Sequence, residues 1–153
     1  MKYIKIIRLI IVAFIITSMN VNGQECENFH KLGDCQLDVE KPFEIFGQSR
    51  SDIIGVGYTL KYNIIFYGKK EYLVSFCTTK DYYPIHFKLI DPISEDILYD
   101  NEDDDYLESV GFGVEKTRQF TIEMSILGDE ATDQEIEDYF TCVGMLIQGK
   151  PLK

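Results

Sequence analysis

The chain has 153 residues and a formal net charge of −11, with four cysteines and two histidines. That length suffices for one domain with its own core, so no metal is needed merely to fold it. The negative charge argues against nucleic acid and anionic lipid as partners, because both would repel it, and leaves cations and cationic surfaces.

Residues 1–23 read as a secretory signal peptide. Lys2, Lys5 and Arg8 make a basic start, and "LIIVAFII" (9–16) follows as an apolar run too short to span a bilayer. Val21 and Gly23 are small enough for the −3 and −1 pockets of a signal peptidase, which places the cut after Gly23. An uncleaved anchor would call for a longer apolar run. Cys26 has the wrong spacing and neighbours for a lipid anchor. Removing the three basic residues takes the charge from −11 to −14 over residues 24–153. The expected location is therefore exported, periplasmic or extracellular, with no membrane insertion once the leader is gone.

Residues 24–40 form a disulfide-containing N-terminal segment, and 41–153 the main domain. Cys26, Cys35, Cys77 and Cys142 are an even set behind an export signal, which predicts two disulfides. No CxxC pair exists, so zinc is not indicated. Three pairings are open; the favoured one joins Cys26 to Cys35 and Cys77 to Cys142.

Along the domain, apolar residues recur at every second position. "PFEIFGQ" (42–48) opens it, and "GQSRS" (47–51) is a polar turn. Leu60, Tyr62, Ile64 and Phe66 share a face in "YTLKYNIIFY" (58–67). "YGKK" is expected to be a hairpin turn into "EYLVSFC" (71–77), where Tyr72, Val74 and Phe76 share a face. Ile85, Phe87 and Leu89 alternate with His86 and Lys88 in "PIHFKLID". "DILYD" (96–100) is a short strand. Val110, Phe112 and Val114 then share a side, as do Phe120, Ile122, Met124 and Ile126, and Val143, Met145 and Ile147. The expected fold is all-β: an antiparallel β-sandwich of about eight strands, jelly-roll-like. One short helical turn is expected near 132–140, where Thr132 and Glu135 have capping-box spacing. Alternation places Cys77 and Cys142 on the outer face, because Phe76 and Val143 point inward.

Catalytic chemistry finds little footing. His30 and His86 lie in no HExxH helix, and no GxSxG elbow or Gly-rich phosphate loop is present. Carboxylate pairs for a small hydrolase can be drawn anywhere in so acidic a chain, which makes that reading the least specific. The sharper candidate is "YDNEDDDY" (99–106). Asp100, Asp103, Asp104 and Asp105, with Asn101, offer oxygens to calcium. The EF-hand pattern fails, since Asp105 stands where Gly is needed and Gly111 where a bidentate Glu is needed. A solvated turn is the competing account. Tyr82 and Tyr83, in the loop before Pro84, are candidates to stack on a sugar or bury against a protein.

Taken together, "FGQSRS", "YLVSFC", "FKLIDPISEDILYDNEDDDY", "FGVEKTRQFTIEMSI" and "CVGMLIQ" resemble a family of small exported β-sandwich proteins from Gram-negative bacteria of the gut and similar habitats. That resemblance implies a compartment and no activity. The stretch from "DP" through "ILYDNED" is more loosely similar to pre-peptidase C-terminal domains. Those are jelly-roll-like modules, some with calcium, that assist binding or secretion. The likeness implies Asp100, Asp103 and Asp105 as acidic ligands. With no peptidase attached, the protein would act alone. The expected function is non-catalytic binding of a protein, glycan or cell-envelope component. A calcium-dependent module at 100–105 is the alternative, and a carboxylate hydrolase comes last.

Overall fold

Side chains that alternate between oil and water force the backbone into pleated ribbons whose apolar faces must meet. The computed structural model describes residues 26–31, 35, 43–78, 84–127 and 140–152. These contain nine strands: β1 (Glu44–Ile45), β2 (Arg50–Gly55), β3 (Thr59–Phe66), β4 (Lys70–Thr78), β5 (Ile85–Ile90), β6 (Ile97–Asp100), β7 (Ser109–Val114), β8 (Arg118–Ile126) and β9 (Phe140–Pro151). All pairings are antiparallel. One sheet runs β1-β9-β4-β7, with β2 also on β9, and the other runs β3-β8-β5-β6. The molecule is an all-β sandwich. The helical turn expected near 132–140 lies outside the described residues, as do Tyr82 and Tyr83.

The inward faces are those that alternation assigns. Tyr62, Ile64 and Phe66 meet Tyr72, Val74 and Phe76 in one core, with Phe87, Phe120, Ile122, Met124, Val143, Met145 and Ile147. Phe66 is the hub of an aromatic cluster, with ring centroids 4.9 Å from Tyr72, 5.2 Å from Phe112 and 5.6 Å from Phe120. Most are edge-on or tilted, the arrangement that the ring quadrupole favours.

"YGKK" is not a hairpin. β3 and β4 belong to different sheets, so Gly68 and Lys69 carry the chain across the end of the sandwich. Gly68 packs against the corner between β7 and β8: a Cβ there would lie 2.8 Å from Glu115 O and Thr117 N. A second difference concerns 47–51. The polar stretch is a turn only at 47–49, and Arg50 begins β2. β1 and β2 lie along the same side of β9, one after the other. At the kink between them, the Ser49 hydroxyl accepts the Ile147 N–H at 2.9 Å and lies 3.1 Å from the Ile147 carbonyl. One side chain thus fills a rung of the ladder that the backbone skips.

Gln48 does the same for the edge of β3. Its carboxamide donates to Ile65 O at 2.8 Å and accepts Ile65 N–H at 3.3 Å. An open edge is a template for unwanted pairing, and such a plug blunts it.

The disulfides differ from the favoured pairing. Cys26 joins Cys142 and Cys35 joins Cys77, with Cα separations of 5.2 and 4.9 Å. Cys77 and Cys142 do lie on the outer face, but register sets Cys77 opposite Gly144 rather than Cys142. Each therefore reaches upward to the N-terminal segment laid over the sheet. Phe29, Cys35, Cys77 and Leu146 pack there as a second small core. His30 is buried beneath this cover. Its N–H donates to Ser51 Oγ at 2.8 Å, and its Nδ1 lies 2.7 Å from the same oxygen. Burial, and then Lys31, pull its pKa below the ordinary value. Gly144 is the floor of this arrangement: a Cβ would fall 2.5 Å from Cys35 Sγ and 2.8 Å from Cys77 Sγ.

Candidate functional site

The two sheets are treated unequally. The outer face of the five-stranded sheet is covered over Cys77, Gly144 and Leu146 by the stapled residues 26–31 and 35, and beside this cover Leu73, Gly111 and Gly113 line a smaller hollow of about 360 Å³. Nothing among the described residues covers the outer face of β3-β8-β5-β6. Lys61 and Asn63 of β3, Gln119, Thr121 and Glu123 of β8, Lys88 and Ile90 of β5, and Ile97 of β6 line a shallow trough of about 700 Å³ across it. Its far wall is Asp91, Pro92 and Glu95 in the turn between β5 and β6.

Ile97 reaches the trough because of a bulge. Leu89 pairs with Tyr99 and Ile90 with Ile97, so Leu98 is an extra residue on β6. Across it the facing reverses. Tyr99 packs inward near Phe87, at 5.7 Å between rings, while Ile97 sits on the outer surface, 54% exposed.

Charges within the trough are largely matched. Lys61 bonds Glu123 across β3 and β8, and Arg118 reaches Asp91 at 2.5 Å. Lys88 Nζ sits 2.9 Å from Asp100 Oδ2, and the Thr121 hydroxyl donates to Asn63 Oδ1 at 2.8 Å. Such cross-strand pairs hold their groups in fixed positions.

At the end of β6 the acidic run closes into a 3-10 turn, Asn101–Asp104. Asp105 and Tyr106 follow with φ of 52° and 58°, left-handed values that turn the chain back toward β7. Asp100, Asp103, Asp104 and Asp105 form no group of three whose oxygens come together. Asp100 faces the sheet: Oδ1 lies 2.7 Å from His86 Nε2 and accepts the Glu102 N–H at 3.1 Å. Burial by itself would raise this carboxyl. Hydrogen bonds from Lys88, His86 and the Glu102 amide outweigh that and hold it down at about 2.

Asn101 is fully buried. Its Oδ1 accepts the Phe87 N–H at 2.8 Å, and its Nδ2 donates to Ile85 O at 2.9 Å and Leu107 O at 3.1 Å. Its oxygen is thus engaged by the backbone. Asp104 Oδ2 accepts the Tyr99 hydroxyl at 2.8 Å, and burial together with that carboxylate pushes the phenol up to about 12. Asp103 and Asp105 are exposed. Among the described residues, the group of three metal-capable side chains that comes together is His86, Asp100 and Glu102, with ligand atoms within 4.8 Å. His86 and Glu102 were not among the sequence candidates for metal. Pairing of β5 with β6, invisible to local pattern, is what brings His86 to Asp100.

No family model matches the chain, and no curated protein matches its sequence. Among solved structures, the chain is similar to PliG of Aeromonas hydrophila, described as a periplasmic lysozyme inhibitor of g-type lysozyme. The identity is 8%, the TM-score is 0.46, and the alignment covers 74% of this chain and 93% of that one.

Proposed function

We propose that the protein is exported, loses residues 1–23, and acts as a non-catalytic binding protein whose docking face is the bare outer surface of β3-β8-β5-β6. The observation that carries this is the unequal cover of the two sheets. One outer face is occupied in part by the protein's own N-terminal residues 26–31 and 35, which leave a smaller hollow than the other face offers. The other offers a trough with fixed hydrogen-bonding groups and the exposed Ile97. Paired polar groups beside apolar surface suit a protein, a glycan or an envelope component, because their pairing lowers the cost of ordering them at binding. Two disulfides fit an oxidising compartment, where they persist.

The test uses the oxidised, purified chain in two arms, a glycan array and affinity capture from envelope extract. Any ligand is then titrated against Thr121→Trp, which puts a bulky ring in the middle of the trough. The expected result is a saturable ligand lost with Thr121→Trp and kept with Glu44→Gln on the other sheet. A ligand indifferent to Thr121→Trp, or none in either arm, defeats the reading.

A further inference from the structure

The free edge of β6 carries an unusual mixture. Ile93, in the preceding turn, is 93% exposed, Leu98 is 47% exposed, and Leu107, after the acidic turn, is 58% exposed. With Ile97 they give four large aliphatics on solvent-facing positions within fifteen residues. Single exposed apolar residues are ordinary, but several along one edge, rimmed by polar groups, mark a contact surface.

The rim is acidic, and its charge is not balanced internally. Some carboxylates elsewhere find cations, as Glu71 meets Lys150, Glu123 meets Lys61 and Asp91 meets Arg118, while Glu27, Glu44, Asp52 and Glu115 stand singly, in no ion pair among the described residues. Asp100 takes Lys88 and His86, the bases nearest the edge. Among the described residues, no ion pair reaches Glu95, Asp96, Asp103, Asp105 or Glu108. Each is exposed. Like charges crowded on one edge repel, and beyond the screening that water and salt supply, a cationic partner relieves them directly. A glycan would not do so. A second copy would bring the same charges and add to the repulsion.

We infer that the β6 edge, from Ile93 to Leu107, docks a basic protein, whose aliphatic side chains cover Ile97 and Leu98 while its lysines and arginines meet the carboxylates at either end. This names the partner class for the binding role proposed above and rests on it. The bulge at Leu98 shortens and twists β6, so the partner would use side chains rather than add a strand.

The test is calorimetric titration of the full oxidised chain against a panel of purified basic proteins, of pI above about 9, with acidic proteins of matched size as controls. Four versions are compared: the parent, Ile97→Ser/Leu98→Ser, Asp103→Asn/Asp105→Asn, and Ile53→Ser on the opposite sheet. Circular dichroism first establishes that each is folded. At least one basic protein should bind with micromolar affinity, weakened tenfold or more by each of the first two variants and untouched by Ile53→Ser. Binding should persist, reduced, at about 0.15 M salt, where long-range attraction between exposed charges is largely screened.

Several outcomes overturn the inference. They are no binding across the panel, binding weakened by the charge variant but not by the aliphatic one, and self-association in sedimentation that the aliphatic variant abolishes. If a glycan or an acidic protein instead binds through the trough and is lost with Thr121→Trp, the binding role stands and only the basic-partner inference fails. If nothing binds in either experiment, both fail.

Discussion

Asn101 shows how much one side chain decides. Inside "YDNEDDDY" it looks like one more oxygen donor, yet its carboxamide stands in for a missing strand residue and closes three backbone hydrogen bonds. Asn101→Ala should strand buried groups on Ile85, Phe87 and Leu107 and cost about 3 kcal/mol, read from urea unfolding. Asp100 gives a prediction in pH. Its folded pKa, about 2, lies below the ordinary 3.8. The stability it adds is present in full above about pH 4 and disappears as pH falls toward 2. Asp100→Asn should flatten the fall in melting temperature across that window. An unchanged slope would mean that the carboxylate is not held as described. Because the best-placed oxygens of the turn already have partners, millimolar calcium should leave the melting temperature where chelator leaves it. A rise of several degrees would restore calcium to the turn.

At the level of strands, period two was enough to find β3, β4, β5, β7 and β8 and to assign their inner faces. It failed where the signal is short or belongs to the partner strand. β2 begins with Arg50, Ser51 and Asp52, exposes Ile53 and buries only Ile54 and Gly55 at its end. No alternation distinguishes it from a turn. The kink that Ser49 fills cannot be read without β9 alongside. The cysteine faces were legible, but their pairing was not, because it depends on where the N-terminal segment lies and on which residue register sets opposite Cys77. The candidate site divides in the same way. The polar outward positions of β3, β5 and β8 were visible, whereas Ile97 needed the Leu98 bulge and His86–Asp100 needed the β5–β6 register.

Two substitutions test these contacts. Cys35→Ser/Cys77→Ser opens a loop of 42 residues and should cost about 4 kcal/mol on chain-entropy grounds. Tyrosine fluorescence and urea midpoints would report it, and a loss near zero would mean that the segment is held by packing alone. Gln48→Ala unplugs β3 and should change stability by less than about 1 kcal/mol. It should nonetheless raise the fraction of dimers and larger species in sedimentation, since the edge at Ile65 is then open.

Over the molecule as a whole, a net charge of −11 sits on a fold whose strand charges are mostly matched and whose β6 end is not. Among the described residues, self-repulsion is therefore strong at that end. Raising salt from about 0.02 to 0.3 M should screen it and lift the melting temperature by a few degrees. Asp103→Asn/Asp105→Asn should lose much of that salt response. An equal response in parent and variant would spread the repulsion evenly over the surface.

The placement of β9 also has a kinetic side. It is the last of the nine strands in chain order, and β1, β2 and β4 all wait for it before their sheet can close. One staple, Cys26–Cys142, spans 116 residues and matures only when that strand arrives. For a chain exported as proposed above, the β1-β9-β4-β7 sheet would close only after β9 had crossed, and this staple would form only in the compartment where thiols are oxidised.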